Sequence, residues 1–158
     1  MPKKECLACK GRGRISGERE IQVSVLPGVQ NGQIIKIKGA GEAGEYASGE
    51  GDLYARINIV PHKTFEREGD DLFVQKELNI FDLLLGRKIE VPTVRGGKIE
   101  VEVPSSFNFK DNLKVPGEGM PRFGAFGRGN MHISITFKFP KKVSAKAKKL
   151  LEDLEKEV

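Results

Sequence analysis

The chain has no tryptophan, two cysteines and two histidines. Each scarcity excludes something. Two cysteines at one spacing and no others argue against a disulfide-stapled secreted fold and fit a reducing compartment. No apolar run approaches the roughly 20 residues needed to cross a bilayer, and no charged-then-apolar signal segment opens the chain, so a cytoplasmic location is expected. Two isolated histidines, with no Ser, Cys or carboxylate beside them in a recognisable arrangement, leave no catalytic constellation, and the chain is expected not to be an enzyme. The glycine-rich stretches lack the GK[ST] ending of a phosphate-binding loop. The nine phenylalanines all lie at or after Phe65 and do not interleave with arginine as a base-stacking platform would.

What is present is a globular composition, 38% hydrophobic and 31% charged over 158 residues, enough for one ordinary domain or two small ones. The net charge of +5 reads as a solvated lysine-rich surface or as attraction to an anionic partner. Lysine and arginine are spread along the chain among glutamates, which favours the first.

Cys6-Leu7-Ala8-Cys9-Lys10-Gly11-Arg12-Gly13 is half of a zinc site. CxxC places two thiolates on one turn, and a structural zinc takes four ligands. Cys6 and Cys9 are therefore metal-ligand candidates without partners in this chain. A zinc-knuckle nucleic-acid binder and a CxxC dithiol redox protein are the rival readings of this motif. Steeply salt-dependent binding would mark the first. The second sits badly with a β-rich chain, because the thioredoxin motif belongs in a βαβ setting.

An internal repeat organises the rest. Ile21-x-Val23-x-Val25 matches Ile99-x-Val101-x-Val103, about 78 positions on, and Ile35-x-Ile37-x-Gly39-x-Gly41 matches Leu113-x-Val115-x-Gly117-x-Gly119. Gly51-Asp52-Leu53-x-Ala55-x-Ile57-x-Ile59 matches Gly129-Asn130-Met131-x-Ile133-x-Ile135-x-Phe137. Two copies of one β unit in tandem follow. Every matched stretch alternates apolar and polar residues with period two, the mark of a half-buried strand, so the fold class is mostly β: two small antiparallel sandwiches or open barrels. Between the copies, Asn79 to Gly86 predicts a short helix with Gly86 as its left-handed stop and its leucines as a core plug. His62 is expected to be a structural turn residue.

From Ser144 a second helix is expected, with Ser144 as N-cap. Val143, Ala147, Leu150, Leu151, Leu154 and Val158 form one apolar stripe. Lysines come early in this helix and carboxylates late, against the helix dipole. Such a helix needs something to pack on, its own domain or a second subunit.

The ordered motifs carry a resemblance. They run CxxCxGxG, Pro27-Gly28-Val29-Gln30-Asn31-Gly32, Gly39-Ala40-Gly41-Glu42-Ala43-Gly44, Gly51-Asp52-Leu53-Tyr54 and Pro61-His62-Lys63-Thr64-Phe65. They continue through Arg67-Glu68-Gly69-Asp70-Asp71-Leu72, Ile89-Glu90-Val91-Pro92-Thr93-Val94-x-Gly96-Gly97 and Pro116-Gly117-Glu118-Gly119-Met120-Pro121. Over nearly its whole length the chain resembles the C-terminal region of DnaJ, the zinc-containing class of J-domain co-chaperones. The resemblance implies residues 1–13 as the last zinc-binding repeat, 14–64 as a first, peptide-binding β-domain, 65–140 as a second, and 141–158 as a dimerisation segment carrying the apolar stripe. It implies binding of unfolded polypeptide by strand addition beside an apolar pocket, and transfer to a DnaK-type partner. By position the pocket involves Ile21, Val23, Leu53, Ala55 and Ile57, with Ala55 smaller than expected there. It implies zinc in the full-length parent, Cys6 and Cys9 being ligands whose partners lie in an earlier repeat. No membrane partner is expected, and nucleic acid is not favoured. No His-Pro-Asp of a J-domain is present, nor the earlier CxxCxGxG repeats or the strand before them. The chain is expected to be a piece beginning inside the zinc region, unable by itself to stimulate a DnaK-type ATPase.

Overall fold

Alternating sequence becomes a strand only where a neighbour supplies the other half of its hydrogen bonds. The computed structural model describes residues 6–11, 13–44, 48–104, 106–140 and 142–157. Its strands are β1 (Ile34–Ile37), β2 (Leu53–Arg56), β3 (Phe65–Glu68), β4 (Asp71–Asn79), β5 (Ile89–Pro92), β6 (Lys98–Val101), β7 (Leu113–Val115) and β8 (Met131–Lys138), with helices α1 (Ile80–Leu84) and α2 (Ala145–Glu155). The architecture is mostly β. The chain divides into two units, one of Met1–Pro61 with Pro121–Phe126 and one of His62–Met120 with Gly127–Val158. The linear repeat places the boundary after residue 64 and assigns 121–126 to the second copy. In the structure those six residues group with the first unit, where Pro121 and Phe123 crowd Gly28.

The second unit has one four-stranded sheet, in the order β3-β4-β8-β7, and the two-stranded β5-β6. Its turns use glycine where φ is positive, Gly69 (61°) between β3 and β4 and Gly96 (90°) and Gly97 (81°) between β5 and β6. Leu72, Val74, Met131, Ile133 and Ile135 from the larger sheet and Ile89 and Val91 from the smaller form one buried core. Val91, Met131 and Ile133 are 0% exposed. The sheet is not wholly antiparallel as expected: β4 and β8 run parallel, from Leu72 opposite Met131 to Asn79 opposite Lys138. These strands are joined through α1 and β5–β7, and a crossover of that length returns the chain in the same direction.

Asn79 caps α1 by accepting from the Phe81 amide, and Gly86 takes φ 62° past its end. The leucines are not the expected core plug. No α1 residue is buried, and Leu84 and Leu85 are each 64% exposed, because five residues make barely more than one turn and only one side of it meets β4. Ser144 caps α2, its hydroxyl accepting from the Ala147 amide at 3.2 Å. His62 is a turn residue: its Nδ1 accepts from the Thr64 and Phe65 amides at 3.1 and 3.3 Å.

The first unit contains the antiparallel pair β1-β2. The expected strand Ile21–Val25 joins no ladder. In the repeat its counterpart β6 pairs with β5, but the positions matching β5 start at Gly11, a residue of the CxxC turn. Every buried hydrophobic residue of the described chain belongs to the second unit.

The repeat is exact in hydrogen-bond register. Ile35 opposes Ala55 and Ile37 opposes Leu53 in the first unit; Leu113 opposes Ile133 and Val115 opposes Met131 in the second. Each pair is the other shifted by 78 positions (35 to 113, 55 to 133). The Gly41 amide donates to Gly51 O at 2.9 Å, as Gly119 does to Gly129 O at 3.0 Å.

Candidate functional site

The two copies differ in what lies beyond their matched hairpins. β8 is flanked on both sides, by β7 and by β4. Its counterpart β2 has one neighbour, β1, among the described residues, and the positions matching β4 at the same offset fall ahead of Pro2. Ile57 turns both backbone groups toward the β1 side, its amide donating to Gln33 O at 2.8 Å and its carbonyl accepting from Gly32 at 2.7 Å. Alternation then turns Ala55 and Leu53 the same way, and Tyr54, Arg56 and Asn58 toward the opposite edge. Their counterparts are His132, Ser134 and Thr136, on the ladder to β4, which begins with Leu72 donating to Asn130 O at 2.9 Å. Sequence reasoning did not single out Tyr54, Arg56 and Asn58, which the constant offset sets at the positions of His132, Ser134 and Thr136.

Of the residues expected to line a pocket, Leu53, Ala55 and Ile57 are half-buried on one face of β2 and its extension. Ile35 and Ile37 are half-buried on the same face of β1. Ile21 and Val23 are half-buried between exposed Gln22 and Ser24, but they stand outside the sheet. Their segment is tied down by Arg19, which bonds Glu50 at 2.9 Å and Gly41 O at 3.3 Å, and by Arg14 to Ala43 O at 3.3 Å. The first unit therefore presents an apolar face that is covered in part. On its opposite face Lys36 bonds Asp52 at 2.7 Å. That pairing raises the Lys36 ammonium and, with the Gly39 amide, lowers the Asp52 carboxyl; both are exposed, and the pair adds little to stability.

Cys6 and Cys9 sit on the expected tight turn. The Lys10 amide donates to Cys6 O at 2.7 Å, and Lys10 (φ 49°) and Gly11 (φ 82°) adopt left-handed backbone. The Cys9 and Ala8 amides, then the Cys9 thiol, hold the Cys6 thiol below its ordinary range. A thiolate stabilised by its own turn is the form that binds metal. Both cysteines are free, and among the described residues no group of three or more His, Cys, Asp or Glu could hold a metal. The donor set fits half of a zinc site.

One further polar cluster lies in the second unit, across strands 61 residues apart in sequence. Asp71 accepts from the Asn130 amide at 2.6 Å and faces His132 Nε2 at 3.1 Å, and the His132 ring stacks on Phe73 at 4.8 Å. The Asn130 amide, then His132, lowers the Asp71 carboxyl. A depressed carboxylate stabilises the fold above its unfolded pKa and stops doing so as pH falls through its folded one. Asp71→Asn is expected to cost about 1 kcal/mol at neutral pH. The gap in melting temperature between the two proteins should close as pH falls below about 4, as followed by circular dichroism; a constant gap would contradict this assignment.

Tandem β units with matched register, preceded by a CxxCxGxG turn and followed by a capped amphipathic helix, define a class of two-domain β modules. A family model for the DnaJ C terminal domain matches residues 4–140, and the chain belongs to that family. Among its relatives, "Chaperone protein DnaJ" of Leptospira biflexa is 37% identical over 152 residues, covering 96% of this chain and 40% of the relative. "Chaperone protein DnaJ 2" of Aquifex aeolicus is 40% identical over 136 residues, 86% of this chain and 36% of the relative. "Chaperone protein DnaJ" of Bdellovibrio bacteriovorus is 38% identical over 154 residues, 98% of this chain and 41% of the relative. The chain thus spans about two fifths of the length of these relatives. No helix among the described residues is long and apolar enough to cross a membrane.

Proposed function

We propose that this chain is part of the polypeptide-binding region of a co-chaperone, and that an extended, non-native segment adds as a strand beside the apolar face of the first unit. The observation that carries the reading is that face: Leu53, Ala55 and Ile57 stay half-buried, whereas their counterparts Met131, Ile133 and Ile135 are buried in the core of the second unit. Backbone hydrogen bonds accept any sequence, and the half-buried face of Leu53, Ala55 and Ile57, with Ile21 and Val23 of the same unit, adds a loose preference for apolar side chains. A strand-accepting surface carries an aggregation cost; Arg56 and Lys36, exposed on the outer face of the β1-β2 pair, oppose it by charge.

In the longer protein the client passes to a DnaK-type chaperone in the cytoplasm, Cys6 and Cys9 supply half of a zinc site, and two copies meet through α2. Ile57→Ser tests the client site. It is expected to weaken binding of a permanently unfolded polypeptide about ten-fold, the worth of one buried aliphatic contact, measured by fluorescence anisotropy, while the thermal transition of the second unit stays put. Unchanged affinity with the variant folded would reject the site.

A further inference from the structure

We propose that Asn31-Gly32 is a site of spontaneous deamidation, gated by opening of the first unit, and that the isoaspartyl product leaves that unit unable to close. This is the only Asn-Gly pair in the chain. Glycine has no Cβ to shield its amide, so its nitrogen can reach the side-chain carbonyl carbon of the asparagine before it. In that step the Gly32 nitrogen bonds to Asn31 Cγ. The Gly32 amide proton and the Asn31 side-chain amide group leave together as ammonia, and a succinimide closes. Water then adds to either ring carbonyl. One opening gives aspartate; the other gives isoaspartate, in which the backbone runs on through the side-chain carbons. No enzyme or oxidant takes part.

Both reacting groups are held by the extension of β2. The Gly32 amide donates to Ile57 O at 2.7 Å, and Asn31 Oδ1 accepts from the Ile59 amide at 2.9 Å. The Ile57 amide donates to Gln33 O at 2.8 Å, and the Gln33 amide to Gln30 O at 3.3 Å. With Gly32 at φ 80° and Asn31 outside the left-handed region, residues 30–33 form a turn of type II. Ring closure requires the Gly32 nitrogen to leave Ile57, the Asn31 side chain to leave Ile59, and the backbone between them to rotate out of that turn. Asn31 is exposed, so solvent reaches it and the closed turn alone withholds the reaction. Opening is within reach, because the first unit contributes no buried hydrophobic side chain among the described residues. The two products differ in what they can rebuild. Aspartate keeps the backbone spacing and an acceptor for the Ile59 amide. Isoaspartate lengthens the backbone by one carbon inside the turn, and the bonds to Ile57 and Ile59 fall out of step. Ile57 lies on the apolar face proposed for the client, so the effect on client binding, though not the modification, rests on that reading.

Ageing the full chain at mildly alkaline pH tests this, with residue 31 followed by peptide mass spectrometry and isoaspartate read by in vitro methylation with an isoaspartyl methyltransferase. Deamidation should begin at Asn31. It should run on the order of ten- to a hundred-fold slower than in a free peptide of residues 27–35, the factor that two hydrogen bonds supply. Urea that opens β1 and β2 but not the second unit should bring it to the peptide rate. Ile133→Ala, which loosens the second unit, should not. Asn31→Asp should melt as the unsubstituted chain does, whereas β1 and β2 amides of the isolated isoaspartyl form should exchange faster with solvent. Deamidation of the closed protein at the peptide rate, first modification at another asparagine, or acceleration by Ile133→Ala overturns the gate. An isoaspartyl form with unchanged exchange in β1 and β2 overturns its consequence. Normal client binding by an isoaspartyl form whose β1 and β2 have opened would count against the client reading alone.

Discussion

Gly129→Ala is expected to destabilise the second unit by about 3 kcal/mol or more, as backbone crowding without a flexible neighbour does, while Gly51→Ala, at the same place in the first copy, is expected to be near neutral. A Cβ on Gly129 would overlap the Asp70 carbonyl. That carbonyl is held by the Met120 amide at 2.8 Å, and Gly129 itself is fixed by its bonds with Met120 O and from the Gly119 amide, so nothing nearby can yield. Gly51 makes the same backbone bonds with Gly41 and Glu42, yet a Cβ there meets only Glu42 O at 3.7 Å. The difference is the β4 strand.

Ile133→Ala should cost about 3 kcal/mol, the usual loss for an isoleucine truncated in a packed core, and lower the melting temperature of the second unit by on the order of 10–20 °C. Ile133 is 0% exposed and is packed between two sheets. A loss below about 1 kcal/mol would mean that the core collapses around the gap. Its counterpart in the first copy is already alanine, Ala55, on a face that is only half covered. Consistent with that, the first unit should open first on heating, and the β1 and β2 amides should exchange with solvent faster than those of β4 and β8.

The caps of both helices were legible in the sequence because capping is local chemistry: Asn79, Gly86 and Ser144 act within a few residues of where they stand. The tandem repeat was legible for the same reason, since it can be read without knowing what pairs with what. The apolar face of the first unit was legible in part. Leu53, Ala55 and Ile57 share a face because alternation alone puts them there, whereas Ile21 and Val23 alternate equally well and form no strand. Alternation states that a segment could pair, not that a partner exists.

By itself, then, the sequence determined the mostly-β class, the two copies, the shared register implied by a constant offset, and the family. Only the tertiary structure decided that β4 and β8 run parallel, that Asp71 meets His132 and that the buried core lies in the second copy. Each of these depends on which strand arrives beside which over tens of residues. Side-chain period carries no record of that choice, because a parallel and an antiparallel neighbour bury the same alternate residues.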